Sequence, residues 1–405
     1  MKPKCFFHLQ KKREKNLWNF RDFLSSEKNL FCRDLNEQLS QNMIGVRTRI
    51  LLLILVAVSF PQNVIGTWWL LSRLQLSSAH ADTHLLCGGV PGLTRKQREI
   101  CERHPDILLS VSKGARMGVA ECQAQFRYHR WNCSTLDTGT SVFGNHMLKV
   151  DSRESAFLYA ISSAGVTHAL IRSCSKGEIL HCPCDPVRRG FAYDSKGMYN
   201  WGGCSHVATG LRYSRRFIDS TEERRKDAKG LITFHNNRAG RKVGAAHLLA
   251  VQRRARLQCK CHGVSGSCAS RTCWKAQTDF ADVGRLLKKR YEGAVQVTVD
   301  NQNALIPMEG RKPFSKMDLV YFEHSPDYCT PNKSIGTLGT GGRRCAKDSL
   351  GSEGCDILCC GRGYDTRREL FVEKCGCKFN WCCKVKCKVC REWRDIHTCK
   401  MPHIT

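Results

Sequence analysis

The stretch CGCKFNWCCKVKCKVC, Cys375–Cys390, holds six cysteines in sixteen residues. Pairing Cys375 with Cys390, Cys377 with Cys387 and Cys382 with Cys383 gives position sums of 765, 764 and 765. Three nearly equal sums define one mirror point, and a mirror point in a chain is the turn of a two-stranded hairpin. The bridges then act as rungs between residues that face one another across the ladder, with Cys382–Cys383 at the tip. Beside that tip stand Phe379, Trp381 and Val385. A two-stranded finger has no sheet behind it, so either another part of the chain covers these apolar groups or they form a binding surface.

The rest of the chain fits a cross-linked protein. Its 405 residues include 26 cysteines, and the last 77, from Cys329, hold twelve of them. A segment that short cannot rely on apolar burial, so its stability must come from cross-links. Only Cys5 and Cys32 precede the apolar run ILLLILVAVSF, Ile50–Phe60, which leaves 24 cysteines after it. An even count at this density indicates an oxidising compartment. The run is too short to span a bilayer and suits the apolar region of a signal peptide. Arg47 and Arg49 precede it, and cleavage is expected near Gly66. Residues 43–66 are therefore read as the signal peptide and 1–42 as an atypical leader or gene-model extension; a short retained membrane anchor is the competing reading. Net charge is +29; residues 1–66 hold eleven basic and five acidic side chains, leaving +23 beyond them. For a secreted chain this excess points to sulfated glycans, here heparan sulfate, and acidic receptor faces rather than nucleic acid.

Residues 67–324 read as a mostly helical N-terminal domain. Asp151 and Glu154 have capping-box spacing, followed by Phe157, Leu158, Ile161, Ala164 and Ala169 on one side of a helix. A second helix is expected over Val207–Phe234 and a third over Asp279–Tyr291, where Phe280, Val283, Leu287 and Tyr291 form a core stripe. Ala294–Val299 and Asp318–Phe322 are strand candidates, with a linker at about 301–324. A cystine-rich C-terminal domain follows over 325–405.

A second cysteine-stapled hairpin is expected at 259–273. Cys261 with Cys268 sums to 529 and Cys259 with Cys273 to 532, which describes an irregular base and a closed six-residue apex, HGVSGS. Gly263 and Gly266 flank Val264 and Ser265 and permit close backbone approach. Ser265 lacks the spacing of a nucleophile elbow, and the apex offers His262 but no carboxylate to orient it. It is either an ordinary turn serine or a hydroxyl presented to another enzyme. CxC pairs at Cys182/Cys184, Cys259/Cys261 and Cys375/Cys377 could in principle ligate zinc, but adjacent cysteines such as Cys359–Cys360 and the export signal favour oxidation. We assign no metal and no catalytic residue. A disulfide-rich lipid hydrolase needs a His/Asp pair and a calcium loop that are not identifiable, and a reduced zinc protein binding nucleic acid needs free thiols.

With these residues in view the chain resembles the Wnt family. The matching stretches are ECQAQFRYHRWNCS (Glu121–Ser134), RESAFLYAISSAG (Arg153–Gly165), WGGCS (Trp201–Ser205), HNNRAGR (His235–Arg241), CKCHGVSGSC (Cys259–Cys268), SPDYC (Ser325–Cys329), CCGRGYD (Cys359–Asp365) and CKFNWCC (Cys377–Cys383). The resemblance implies a disulfide-rich α+β fold: a helical N-terminal domain with a stapled thumb, 259–273, and a cystine-rich C-terminal domain with an index finger. It implies a secreted, extracellular signalling ligand rather than an enzyme, with no cofactor but a covalent palmitoleate placed on Ser265 by a membrane O-acyltransferase.

The implied partners are the Frizzled cysteine-rich domain, an LDL-receptor-related co-receptor and a lipid-ligand carrier during export. Receptor contacts would come from His262, Gly263, Val264, Ser265 and Gly266 of the thumb. Those of the finger would be Phe379, Asn380, Trp381, Cys382, Cys383 and Val385. Asn132 and Asn332 head sequons and are expected to carry glycans. Beyond the finger rungs, the implied pairings are Cys122–Cys133, Cys174–Cys182, Cys184–Cys204, Cys259–Cys273, Cys261–Cys268, Cys329–Cys360, Cys345–Cys355 and Cys359–Cys399, which leaves Cys87 and Cys101 to each other. One segment, Val243–Gln258, looks several residues longer than the family pattern.

Overall fold

A computed structural model describes residues 68–73, 87–88, 90, 93–134, 142–143, 147, 150–183, 190–193, 196–197, 200–203, 206–220, 227–254, 257–269, 271–275, 279–332, 337–380 and 384–402. Residues 1–66, where a leader and signal peptide are expected, lie outside them. Ile65–Thr405 packs as one unit. No helix among the described residues is long and apolar enough to cross a membrane.

The helices run α1 (Arg95–Arg103), α2 (Pro105–Gln125), α3 (Arg153–Ser175), α4 (Val207–Ile218), α5 (Ala228–Arg254), α6 (Phe280–Glu292) and α7 (Cys355–Leu358). The strands are β1 (Gly190–Tyr193), β2 (Asn200–Gly203), β3 (Leu257–Cys261), β4 (Arg271–Lys275), β5 (Val295–Val299), β6 (Leu305–Pro307), β7 (Val320–Tyr321), β8 (Arg344–Cys345), β9 (Tyr364–Asn380) and β10 (Lys384–Cys399). They form two hairpins, β1–β2 and β3–β4, and two three-stranded sheets ordered β6-β5-β7 and β8-β10-β9.

Helix α3 is the axis of the core. The sequence suggests one apolar side, whereas almost every residue from Glu154 to Cys174 is buried, because α2, α4, α5 and α6 all pack against it. Small residues make that possible. Gly114 of α2 and Gly165 of α3 touch backbone to backbone, and a Cβ on Gly165 would stand 2.4 Å from the Gly114 carbonyl oxygen. Gly240 of α5 sits against Ala160 with no more room. Two of the buried hydroxyls find local partners: Ser163 donates to the Asn237 carbonyl, and Thr167 reaches both Ser163 O and the Ser214 hydroxyl, each at 2.8 Å.

Two helix readings need correction. The N-cap of α3 is Ser152, whose hydroxyl accepts from the Ser155 amide, while the Asp151 carbonyl is occupied by the amides of Phe322 and Glu323. Glu154 accepts instead from the Tyr291 and Ser325 hydroxyls, tying α3 to α6 and to the start of the cystine-rich part. The single helix expected over Val207–Phe234 is two helices, α4 ending at Ile218 and α5 beginning at Ala228. Helix α6 starts one residue after its Asp279 cap and buries Phe280, Val283 and Leu287 as the stripe requires. The long Val243–Gln258 segment is helical to Arg254, so α5 is 27 residues, roughly 40 Å at 1.5 Å per residue.

The motif HNNRAGR lies in the middle of α5 and is structural. Asn236 closes a two-way bond with Val320 of β7, donating to its carbonyl at 2.9 Å and accepting its amide at 3.1 Å. His235 meets the Asp318 carbonyl at 2.9 Å. Arg241 grips the buried Asp219 carboxylate with two nitrogens, at 2.8 and 2.5 Å.

The cystine-rich part joins the helices through backbone-directed cations. The Arg343 guanidinium donates to the carbonyls of Arg130 and Arg127, and Arg130 donates to Ile357 O at the end of α7. His129 lies in this seam beside Ser352. Burial first, then the Lys288 ammonium, lowers its imidazole to about 4; Arg343 adds to the effect and Glu353 opposes it.

Gly165→Ala should lower unfolding stability by about 2–3 kcal/mol, because its Cβ meets backbone rather than a side chain that can turn away. The denaturant midpoint of the non-reduced protein measures this. For His129 the unfolded chain takes up a proton near pH 6.5, while the folded chain resists until about pH 4. Stability is therefore complete above 6.5 and falls as pH drops towards 4. His129→Gln should flatten that decline between pH 7 and pH 5, measured by the same midpoint.

Candidate functional site: two disulfide-stapled hairpins

The thumb is built by β3 and β4 in register from Leu257↔Lys275 to Cys261↔Arg271, so its base is a regular ladder and not the irregular one expected. All five pairs share the sum 532; the cystine summing to 529 differs because it lies at the apex, where Cys261 bridges to Cys268 beyond the last paired rung. Cys259 is disulfide-bonded and stands opposite Cys273. The apex is one tight turn, Val264–Gly266, closed by Gly263 N–H to Ser267 O at 2.8 Å and Gly266 N–H to Gly263 O at 3.0 Å.

Ser265 sits at the summit with φ 56° and Gly266 follows at φ 77°. A left-handed residue with a Cβ is unusual, and here it turns an exposed hydroxyl to solvent beside Val264, which is 90 % exposed. Gly263 has no room for a side chain, since its Cβ would meet the Ser267 hydroxyl at 2.1 Å and carbonyl oxygen at 2.5 Å. His262 is exposed as well. Five apex residues thus share one small, closed protrusion.

The finger is the β9–β10 ladder. Cys377 and Cys387 are bridged where the register shifts, and Cys375 bridges to Cys390. The second rung corrects the mirror reading: Cys375 faces Lys388 and Cys390 faces Glu373, so that bridge runs diagonally. The cause is a bulge in which β9 uses one more residue than β10, with Gly376 at φ 55°. Trp381, Cys382 and Cys383 lie outside the described residues, as does the Asn380 side chain. Phe379 is 71 % exposed and pairs with the exposed Val385, on a face that continues down the shaft.

Alternation along β10 puts Val385, Val389 and Trp393 on that face, with Leu370 opposite Trp393 and Val372 opposite Arg391. All five are exposed. Sequence reasoning missed this shaft, although the four-residue spacing of Val385, Val389 and Trp393 in a strand was its visible signal. Lys384, Lys386 and Lys388 occupy the other face.

Below the finger, Cys345–Cys355, Cys359–Cys399 and Cys329–Cys360 clamp α7 and β8 to its base. The clustered sulfurs of Cys345, Cys355 and Cys359 belong to two disulfides and are not free thiolates. In the helical part Cys87–Cys101, Cys122–Cys133 and Cys174–Cys182 are bridged, while Cys184 and Cys204 lie outside the described residues. Asn132 is half-buried and accepts from the Ser134 hydroxyl of its own sequon. Asn332 is exposed at a β-bridge with Thr337.

Comparison with known proteins decides the family. The sequence matches the wnt family over residues 89–400. This chain belongs to the Wnt family. It is 50 % identical to Protein Wnt-2b of Homo sapiens over 347 residues, 85 % of each chain, and 49 % identical to Protein Wnt-2b-A of Xenopus laevis over 352 residues, 86 % of this chain and 96 % of that one. Among solved structures, a chain of human WLS in complex with WNT8A matches with TM-score 0.51 and 38 % identity, over 72 % of this chain and 93 % of that one. Wnt proteins are signalling ligands and not enzymes.

Replacing Cys261 and Cys268 together by serine should leave the β3–β4 base paired and loosen only the turn. Elastase cleavage after Val264 should then accelerate by roughly tenfold or more, followed by peptide mass mapping.

Proposed function

We propose that this Wnt is a secreted, extracellular ligand that carries palmitoleate on Ser265 and uses it to engage the Frizzled cysteine-rich domain. The observation that carries this reading is Ser265 itself: an exposed hydroxyl at positive φ, on the summit of a turn whose neighbours are too small to obstruct an acyltransferase. A membrane O-acyltransferase supplies the acyl group during export. A chain of sixteen carbons at about 0.8 kcal/mol per buried CH₂ offers on the order of 10 kcal/mol of gross transfer energy when a groove excludes water. The exposed apolar residues of the finger offer less, so the lipid dominates affinity and the finger sets placement.

The thumb contacts are His262, Gly263, Val264 and Gly266 around the acylated serine. The finger contacts are Phe379, Val385 and the tip Asn380–Cys383. A free acyl chain in water is a liability, so a lipid-ligand carrier is needed on the way out; the structural likeness to a chain from human WLS in complex with WNT8A supports that role. An LDL-receptor-related co-receptor binds elsewhere, through the linker at about 301–324. Asn132 and Asn332 are glycan acceptors, and the basic surface suits heparan sulfate.

Mass spectrometry of the secreted protein should find a palmitoleoyl increment on the Cys259–Cys273 peptide that hydroxylamine removes. Ser265→Ala should fold yet lose at least a hundredfold in affinity for a Frizzled cysteine-rich domain, since most of the transfer energy goes with the acyl chain. Unmodified Ser265 in protein that still signals refutes the reading.

A further inference from the structure

Helices α1 and α4 face each other across a cleft of about 530 Å³, within the size range of ligand sites. Lys96 and Arg103 line it from α1, and Arg212, Arg215 and Arg216 line it from α4. Among the described residues its one carboxylate is Glu99, already ion-paired with Arg95 at 3.3 Å and Arg103 at 3.7 Å. The helices cannot spread to relieve this charge, because the buried Gln97 side chain donates to Phe217 O at 3.0 Å and locks them together.

A second cleft lies against α4 and shares Arg215 with the first. It is lined by Arg238, Arg241 and Lys242 of α5. Arg241 is neutralised by Asp219. Lys242 has no ion pair among the described residues: partial burial, then Arg238 and Lys316, hold its ammonium below the usual lysine value. Cations held face to face across a cleft repel, and an anion lodged between them removes that cost. A small anion would fill one cleft. Two clefts joined at Arg215 form a track over three helices, the shape that suits a linear polyanion.

We propose that this track binds a sulfated glycosaminoglycan chain, with Lys96, Arg212 and Arg216 taking sulfates in the first cleft and Arg238 and Lys242 in the second. The proposal rests on the extracellular reading above and gives its glycan partner a site. The exposed lysines of the finger are the rival location.

The test is calorimetry of the full secreted protein with a heparin tetrasaccharide and a heparin decasaccharide at several salt concentrations. The decasaccharide should bind at least about tenfold tighter than the tetrasaccharide, because only it spans both clefts. Lys96→Gln with Arg216→Gln, and separately Arg238→Gln with Lys242→Gln, should each weaken decasaccharide binding roughly tenfold and reduce its salt dependence. Without glycan, both variants should melt at or above the wild-type temperature, since repulsion is relieved, which separates lost binding from lost fold. Lys384→Gln, Lys386→Gln and Lys388→Gln together should change little. Loss of binding in that finger variant with the cleft variants unaffected overturns the track but leaves the glycan partner standing. Failure of the wild type to bind decasaccharide at physiological salt overturns both.

Discussion

Everything that projects from this protein depends on covalent cross-linking of backbone that has nothing to pack against. A two-stranded ribbon in water is marginal, since neither face is buried and each ladder bond replaces one to solvent. The finger is such a ribbon beyond its base, where His397 and Thr398 of β10 also pair with β8, and Leu370, Val372, Val389 and Trp393 are all exposed. Bridges at Cys375–Cys390 and Cys377–Cys387 near the tip, and Cys359–Cys399 at the base, remove the open conformations it would otherwise sample. The thumb repeats the device on a smaller scale, with its apex cystine beyond the end of the ladder.

The helical part solves the opposite problem. Its stability comes from burial, and its limit is how closely helices approach. Glycines at 114, 165 and 240 set that distance, while Ser163 and Thr167 on α3 donate to neighbouring carbonyls. The result is a stiff base from which α5 runs to Arg254, two residues short of the thumb strand Leu257–Cys261. Rigid burial at one end and cross-linked exposure at the other are one arrangement: the helices fix where the hairpins start, and the cystines keep them extended.

How much of this was legible follows from the range of each interaction. Periodicity located α3 and α6 because a helix writes its buried stripe every three or four residues. It could not locate the break between α4 and α5. Mirrored cysteine positions revealed the finger, because two antiparallel strands keep a constant sum. They could not reveal the bulge, which changes that sum by one residue around Gly376. The motif His235–Arg241 was visible only as a likeness. Its roles depend on Val320, 84 residues away, and on Asp219 across the helix pair, and no local pattern encodes those partners. At the apex, small residues announce a tight protrusion, but the left-handed backbone of Ser265 is set by how the closed turn folds and leaves no mark in the residue pattern.

The same division explains how the chain tolerates its charge. An excess of +23 beyond residue 66 opposes compaction. A fold held only by burial would have to scatter those cations on its rim. Here the buried Arg241–Asp219 pair, the backbone-directed Arg343 and Arg130 and the nine described disulfides hold the structure through contacts that repulsion between surface groups barely weakens. Lys96, Arg212 and Arg216 can therefore face one another across a cleft, and Lys384, Lys386 and Lys388 can stand in line on one side of a ribbon, without the fold coming apart. Positive charge becomes a property the surface is free to use, because the scaffold does not depend on its being neutral.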